Sequence, residues 1–170
     1  MSVLMDKGPT TGFKVDQRIV YPSQGVGRIL EITEKSFKDS KLLYYTIYLE
    51  FSDMTVMVPV DKATELGIRA IVPKDQAEQA LVFISEEYAP IPSDWKLRYQ
   101  MNLDLLKKGS VLDIASVVRS LYHRSKIKEL PILERKLYDS ALNLLQDEIS
   151  FSLGKDKEEI AELIRARLES

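Results

Sequence analysis

The hydrophobic pattern of this chain changes its period once, near Val60. Before that point apolar residues tend to alternate with polar ones, as along strands whose side chains point to opposite faces. Beyond it they recur at three and four residues, the spacing of a helix face. A single switch of this kind does not interleave strands with helices. It predicts an α+β protein with its strands first and its helices after.

Four segments carry the strand pattern: Gln17–Tyr21, Gly25–Glu34, Leu42–Phe51 and Met54–Pro59. Turn signals separate them at Pro22–Gly25, Lys38–Ser40 and Ser52–Asp53. Short strands with tight connections bury two faces poorly as a flat sheet, so a small curled barrel is expected. Gly25 and Gly27 bracket Val26 and suit a bulge or a sharp bend. They do not form a phosphate loop, because no GK[ST] and no helix follow. The polar stretch 1–12 reads as a tail, 13–66 as the β domain and 67–170 as the helical one.

The helical part is punctuated clearly. Asp61–Leu66 fits a turn or two, closed by Gly67. Asp75 with Glu78 has the form of a capping box for a helix to about Ile84. Ser93 is the expected cap of a helix that Gly109 stops after Lys107 and Lys108. Ser110 opens the next helix, with an apolar stripe of Val111, Ile114, Ala115, Val118, Leu121 and Tyr122. Pro131 suits the first position of a helix ending at Gly154, and Asp156 with Glu159 caps the last.

Composition narrows the function. The chain is 45% hydrophobic and 29% charged, enough to build a core. Without cysteine it has no disulfide and no thiolate metal site, and a reducing cytoplasm is the expected setting. No apolar run reaches the length of a membrane span, and the first residues lack the apolar core of a secretory signal. A net charge of −2 argues against a generic nucleic-acid binder, yet residues 93–136 carry ten basic and five acidic groups. Such a block either steers an anionic partner or pairs its charges across helices.

That block holds the only tryptophan, Trp95, behind Pro90 and Pro92 and before Lys96, Arg98, Lys107 and Lys108. Two readings stand open. Trp95 closes a joint between subdomains as a core residue, or it projects from a helix end beside cations that hold phosphates. No catalytic constellation accompanies it. His123 is the sole histidine and reads as a helix-surface residue whose protonation Arg124 disfavours. A histidine metal cluster is therefore impossible, and no cofactor and no enzymatic role are expected.

Several separated motifs carry a family resemblance: V-Y-P-x-x-G at Val20–Gly25, Val58-Pro59, D-W-x-x-R-Y at Asp94–Tyr99 and V-x-R-x-L-Y at Val117–Tyr122. In this order, across Phe13 to Ile149, the chain resembles the CarD (CdnL) family of bacterial transcription regulators. The resemblance implies a Tudor-like, SH3-like N-terminal domain that binds the RNA polymerase β subunit, akin to one in the transcription-repair coupling factor. It also implies a helical domain that contacts promoter DNA at the upstream edge of the bubble, with a tryptophan as minor-groove wedge at the position of Trp95. Lys35 matches a basic polymerase-binding position. Met57 falls on another, so that charge is missing, and Thr55 is grouped with them.

Arg98 matches a basic position beside the wedge; Leu97 and Gln100 stand where some relatives have cations, and Lys96 adds one. The expected DNA-binding set is Trp95, Lys96, Arg98, Arg119, Arg124 and Lys126. The free chain is expected to be a monomer in the cytoplasm, near the nucleoid through polymerase. The competing reading is a protein-only adaptor with the same two domains and no DNA contact.

Overall fold

The computed structural model describes residues 12–22, 24–88 and 90–170. Apart from Gly12, the expected tail lies outside the described residues. Four strands come first: β1 (Arg18–Tyr21), β2 (Gly25–Phe37), β3 (Ser40–Leu49) and β4 (Met54–Pro59). A helical turn, α1 (Val60–Ala63), leads to a short fifth, β5 (Arg69–Ala70). Then follow α2 (Lys74–Phe83), α3 (Trp95–Lys108), α4 (Val111–Ile127), α5 (Ile132–Leu153) and α6 (Lys157–Glu169). This is the α+β arrangement implied by the sequence, a small antiparallel β domain followed by a helical body.

The sheet is antiparallel, in the order β4-β3-β2-β1-β5. Register puts Ile29 opposite Ile47 and Tyr45 between Ile32 and Val58, so one face is apolar. Ile19, Ile29, Tyr45, Ile47, Leu49 and Val58 are buried there, with Ala63 and Ile68 packed against them. Each large aliphatic side chain so buried contributes about 1.5–3 kcal/mol. At Gly27 β3 lies too close for a side chain, since a Cβ there would lie 2.8 Å from the Tyr48 carbonyl oxygen. The expected bulge falls further along β2, between Ile29 and Glu31.

One boundary moves. β5 pairs with β1, Ala70 opposite Ile19 and Arg69 opposite Val20, so the sheet runs past the division expected at 66/67. Two residues are too few for alternation to be read.

The helical core gathers around α4. Val111, Ile114, Ala115, Val117, Val118 and Leu121 are buried against Leu137, Ala141, Leu145 and Ile149 of α5 and Ile160, Ile164 and Leu168 of α6. Gly109 stops α3 in the left-handed region at φ 78°, and Ser110 caps α4 by accepting from the Asp113 N–H at 3.0 Å. The capping box expected at Asp75 is not formed, because the N-cap of α2 is Pro73, two residues earlier, with no side-chain cap. Asp156 occupies its N-cap position without a side-chain bond, and Pro131 is an N-cap, not a first helical residue.

Sheet and helices are joined by specific bonds. The Arg69 guanidinium donates to both Glu148 carboxylate oxygens at 2.6 and 2.7 Å, and its Nε–H donates to the Gly109 carbonyl at 2.9 Å. Glu148 also accepts from the Val72 N–H at 3.0 Å. The Arg18 guanidinium lies over the Phe151 ring, 4.3 Å from its centroid. Pro22 packs where a Cβ on Gly109 would come within 3.3 Å of it.

Candidate nucleic-acid interface

The cap of α3 is Asp94, whose carboxylate accepts from the Lys96 N–H at 3.0 Å. Ser93, expected in that role, stands one residue too early. Trp95 is therefore the first helical residue, and it is 38% exposed. α3 and α4 are joined through Gly109 and Ser110 alone and run back past one another. The Ser120 hydroxyl donates to Asn102 Oδ1 at 3.5 Å and marks their register. The start of α3 thus lies at the same end of the body as the end of α4.

An ion pair brings in α5. Arg98 is 2% exposed, and its Nε–H and Nη2–H donate to the two oxygens of Glu134 at 2.7 and 2.6 Å. The start of α5, where Glu134 lies, is thereby fixed against the start of α3. The start of α3, with Trp95 and Lys96, the end of α4, with Arg124, Lys126 and Lys128, and the start of α5 therefore lie at one end of the body, although Lys126 lines the groove between α4, α5 and α6 with Tyr138 and Glu162. Lys96, Lys126 and Lys128 are exposed and Arg124 is half-buried. None of these four cations forms an ion pair among the described residues. Lys126 Nζ lies 5.1 Å from the Tyr122 ring centroid.

Two of the six residues expected at DNA, Arg98 and Arg119, are held inside the protein. Arg98 faces inward: besides Glu134 it donates through Nη1–H to the carbonyls of Pro92 (2.9 Å) and Ser93 (3.2 Å). Arg119 is 9% exposed and lies over the Phe83 ring at 3.9 Å. It donates to the carbonyls of Phe83 (2.9 Å) and Glu87 (3.4 Å), while its Nε finds no partner. Burial pulls its pKa down, partly offset by Glu86. Both guanidinium groups are thus engaged with partners inside the protein.

The sequence reading also missed residues at this end. Ile127 is 74% and Ile132 75% exposed, beside Lys128 and the exposed Leu133. A signal existed for Ile127, which falls off the apolar stripe of α4.

His123 is half-buried, stacked on Tyr88 at 4.5 Å and edge-on to Tyr122 at 5.2 Å. Burial first, and then the charge of Arg119, lower its pKa. The direction matches the expectation, but the charge responsible is not that of Arg124. No cluster of metal-ligating side chains occurs among the described residues. A cavity of about 430 Å³ lies at the joint of sheet and helices. Its lining is mostly apolar, with Phe51, Leu103, Leu106, Leu137 and Leu144, and its one carboxylate, Asp147, pairs with Lys157 at 2.9 Å. No described helix is long and apolar enough to cross a membrane.

On the sheet, Lys35, Thr55 and Met57 are all exposed. Opposed partners share a face, and the pairs Met57–Thr46–Glu31 and Thr55–Tyr48–Arg28 lie opposite to the apolar face. Lys35, an even number of residues from Glu31 along β2, lies on that outer face too. β4 is an edge strand, paired only with β3.

Comparison with known proteins adds identity to this geometry. A family model described as CarD, C-terminal domain, matches residues 79–165, and one described as CarD-like/TRCF RID domain matches residues 13–81. YdeB of Bacillus subtilis (strain 168), provisionally described as a transcription factor, is 33% identical over 148 residues, spanning 87% of this chain and 97% of YdeB. The solution structure of the 72-residue N-terminal domain of Myxococcus xanthus CarD shares 35% identity over 37% of this chain and 84% of that domain. Its TM-score of 0.30 leaves that likeness one of sequence, with no argument about shape. The two models together span residues 13–165. The chain belongs to the CarD family of transcription regulators, which is not a class of enzymes.

Proposed function

We propose that this protein binds the β subunit of RNA polymerase through its sheet and stabilises the promoter open complex through the end of its helical body, with Trp95 as a minor-groove wedge. The observation that carries the reading is a tryptophan 38% exposed at the first residue of a helix, followed directly by the exposed Lys96. Most tryptophans are largely buried. An aromatic wedge between base steps at the edge of a bubble makes re-stacking less favourable. Lys96, Arg124, Lys126 and Lys128 supply phosphate contacts, whereas Arg98 and Arg119 act from within. Lys35, Thr55 and Met57, on the outer face and at the β4 edge, offer polymerase a surface that a partner strand can extend. The match to a domain type shared with the transcription-repair coupling factor supports this assignment.

With few cations at the site and a net charge of −2, affinity for free duplex is weak and falls steeply with salt. Polymerase, reached in the cytoplasm by a monomeric chain, supplies most of the localisation. The test is the lifetime of a polymerase–promoter open complex with wild type and with Trp95→Ala. The wedge shortens that lifetime when removed, while polymerase co-purification and melting temperature hold. An unchanged lifetime with a stable variant refutes the wedge. The exposure of Ile127 and Ile132 favours a second reading, a protein-only adaptor, which predicts no crosslink from this end to promoter DNA in the ternary complex.

A further inference from the structure

We propose that Arg98 and Glu134 form a positioning pair whose task is to aim Trp95, an inference that rests on the wedge reading above. The pair is dry, with side chains 3% and 0% exposed. Its stabilising value is poor for such an arrangement, because two apolar side chains of similar volume often serve a core as well or better. What apolar residues cannot do is hold carbonyl groups. Arg98 spends its Nη1–H on the Pro92 and Ser93 carbonyls, the two residues before the Asp94 cap. Pro92 has no N–H with which to anchor this stretch itself. The planar guanidinium thus ties three things into one fixed geometry: the approach to α3, α3 itself and the start of α5 through Glu134. Trp95 directly follows the tied stretch and leads the helix that carries Arg98. The ring is exposed, yet the backbone on both sides of it is immobilised from within. That is the preorganisation a wedge requires, since ordering completed before binding is not charged against affinity.

The test uses the full chain, and the ring reports on itself because Trp95 is the only tryptophan. Arg98→Met with Glu134→Leu removes both charges and keeps apolar volume, so the body stays folded with a melting temperature near wild type. Acrylamide quenching and anisotropy then read the ring's freedom. Binding to a labelled promoter duplex with a mismatched bubble, in the presence of polymerase holoenzyme, reads its use. The positioning role predicts steeper quenching, lower anisotropy and affinity down by about threefold to tenfold, the cost of ordering a side chain at the moment of binding. A merely structural role predicts wild-type values in a folded double variant, and that result overturns the proposal. So does freer fluorescence with unchanged bubble affinity, provided Trp95→Ala weakens that affinity. Should the double variant fail to fold, Arg98→Lys serves: an ammonium can keep the charge pair with Glu134 but cannot reproduce the planar fork to both carbonyls, and the same two readouts decide. If Trp95→Ala itself leaves bubble affinity unchanged, the wedge reading fails, and quenching alone then judges the pair.

Discussion

Two carboxylates on α5 are each gripped by an arginine, and they differ in their surroundings. Glu134, near the start, meets Arg98 with both side chains dry. Glu148, near the end, is 1% exposed, but its partner Arg69 is 24% exposed and the Val72 N–H also donates to it. At about 1.5 Å per residue the two glutamates stand about 21 Å apart along the helix. One pair sits inside the helical body beside Trp95, and the other joins that body to the sheet. The same bidentate chemistry is therefore all-or-none at one end and has water in reserve at the other.

Breaking the dry pair has the largest effect. Glu134→Ala leaves the Arg98 charge buried alone, which costs roughly 3–5 kcal/mol and lowers the melting temperature by roughly 10 °C, as circular dichroism can follow. A loss below about 1 kcal/mol would mean that water reaches the site after all. Arg98→Ala falls for the same reason, not through a lost phosphate contact.

At the wet end, Arg69→Met costs less, about 1–3 kcal/mol by urea titration, because Glu148 keeps the Val72 N–H and gains solvent. Hydrogen exchange should quicken at β5 and Val72 and leave the start of α3 unchanged; equal quickening at both would erase the distinction between the two pairs. Trp95→Ala, outside either pair, should cost about 1 kcal/mol or less, well short of the roughly 3–5 kcal/mol of a core aromatic.

The smallest effect concerns His123. Burial and Arg119 hold its pKa below the ordinary histidine value, which is about 6.5. As pH falls the unfolded chain therefore takes up this proton first. The contribution to stability is complete above about pH 6.5 and is lost as pH drops toward the folded-state pKa. His123→Gln, tested beside Tyr88, Tyr122 and Arg119, should give a flatter melting-temperature profile than wild type across that window.

Much of the fold was legible because its signals are local. Gly109 and Gly154 end helices in left-handed conformations that other residues adopt at a cost, and Ser110 caps as its type predicts. β5 left no trace because two residues carry no period. The site was half legible. Trp95 and Lys96 could be placed by their position at a helix start, but Arg98 was judged by its charge and its nearness to Trp95. Its spacing to Asn102 and Leu106, both buried on α3, put it on the inward face all along. Arg119 likewise lies four residues after buried Ala115. A basic residue on an inward face is legible as buried only if its acceptors can be foreseen. Glu134 and the Phe83 carbonyl are each 36 residues away in sequence from the arginine they hold.

One consequence of the joint concerns α3. At one end the Gly109 carbonyl is held by Arg69 of the sheet; at the other stands Trp95. Fourteen residues at about 1.5 Å each make a strut of about 21 Å. The helix is a ruler with a dial: residue number sets both how far the ring stands from the sheet and toward which compass point it faces. Excising one residue would shorten the strut by only about 1.5 Å but swing the ring by about 100°. Excising seven would return it nearly to its bearing while drawing it in by about 10 Å. Reach and bearing are therefore coupled in this protein, and a change of length preserves aim only in steps of nearly whole turns.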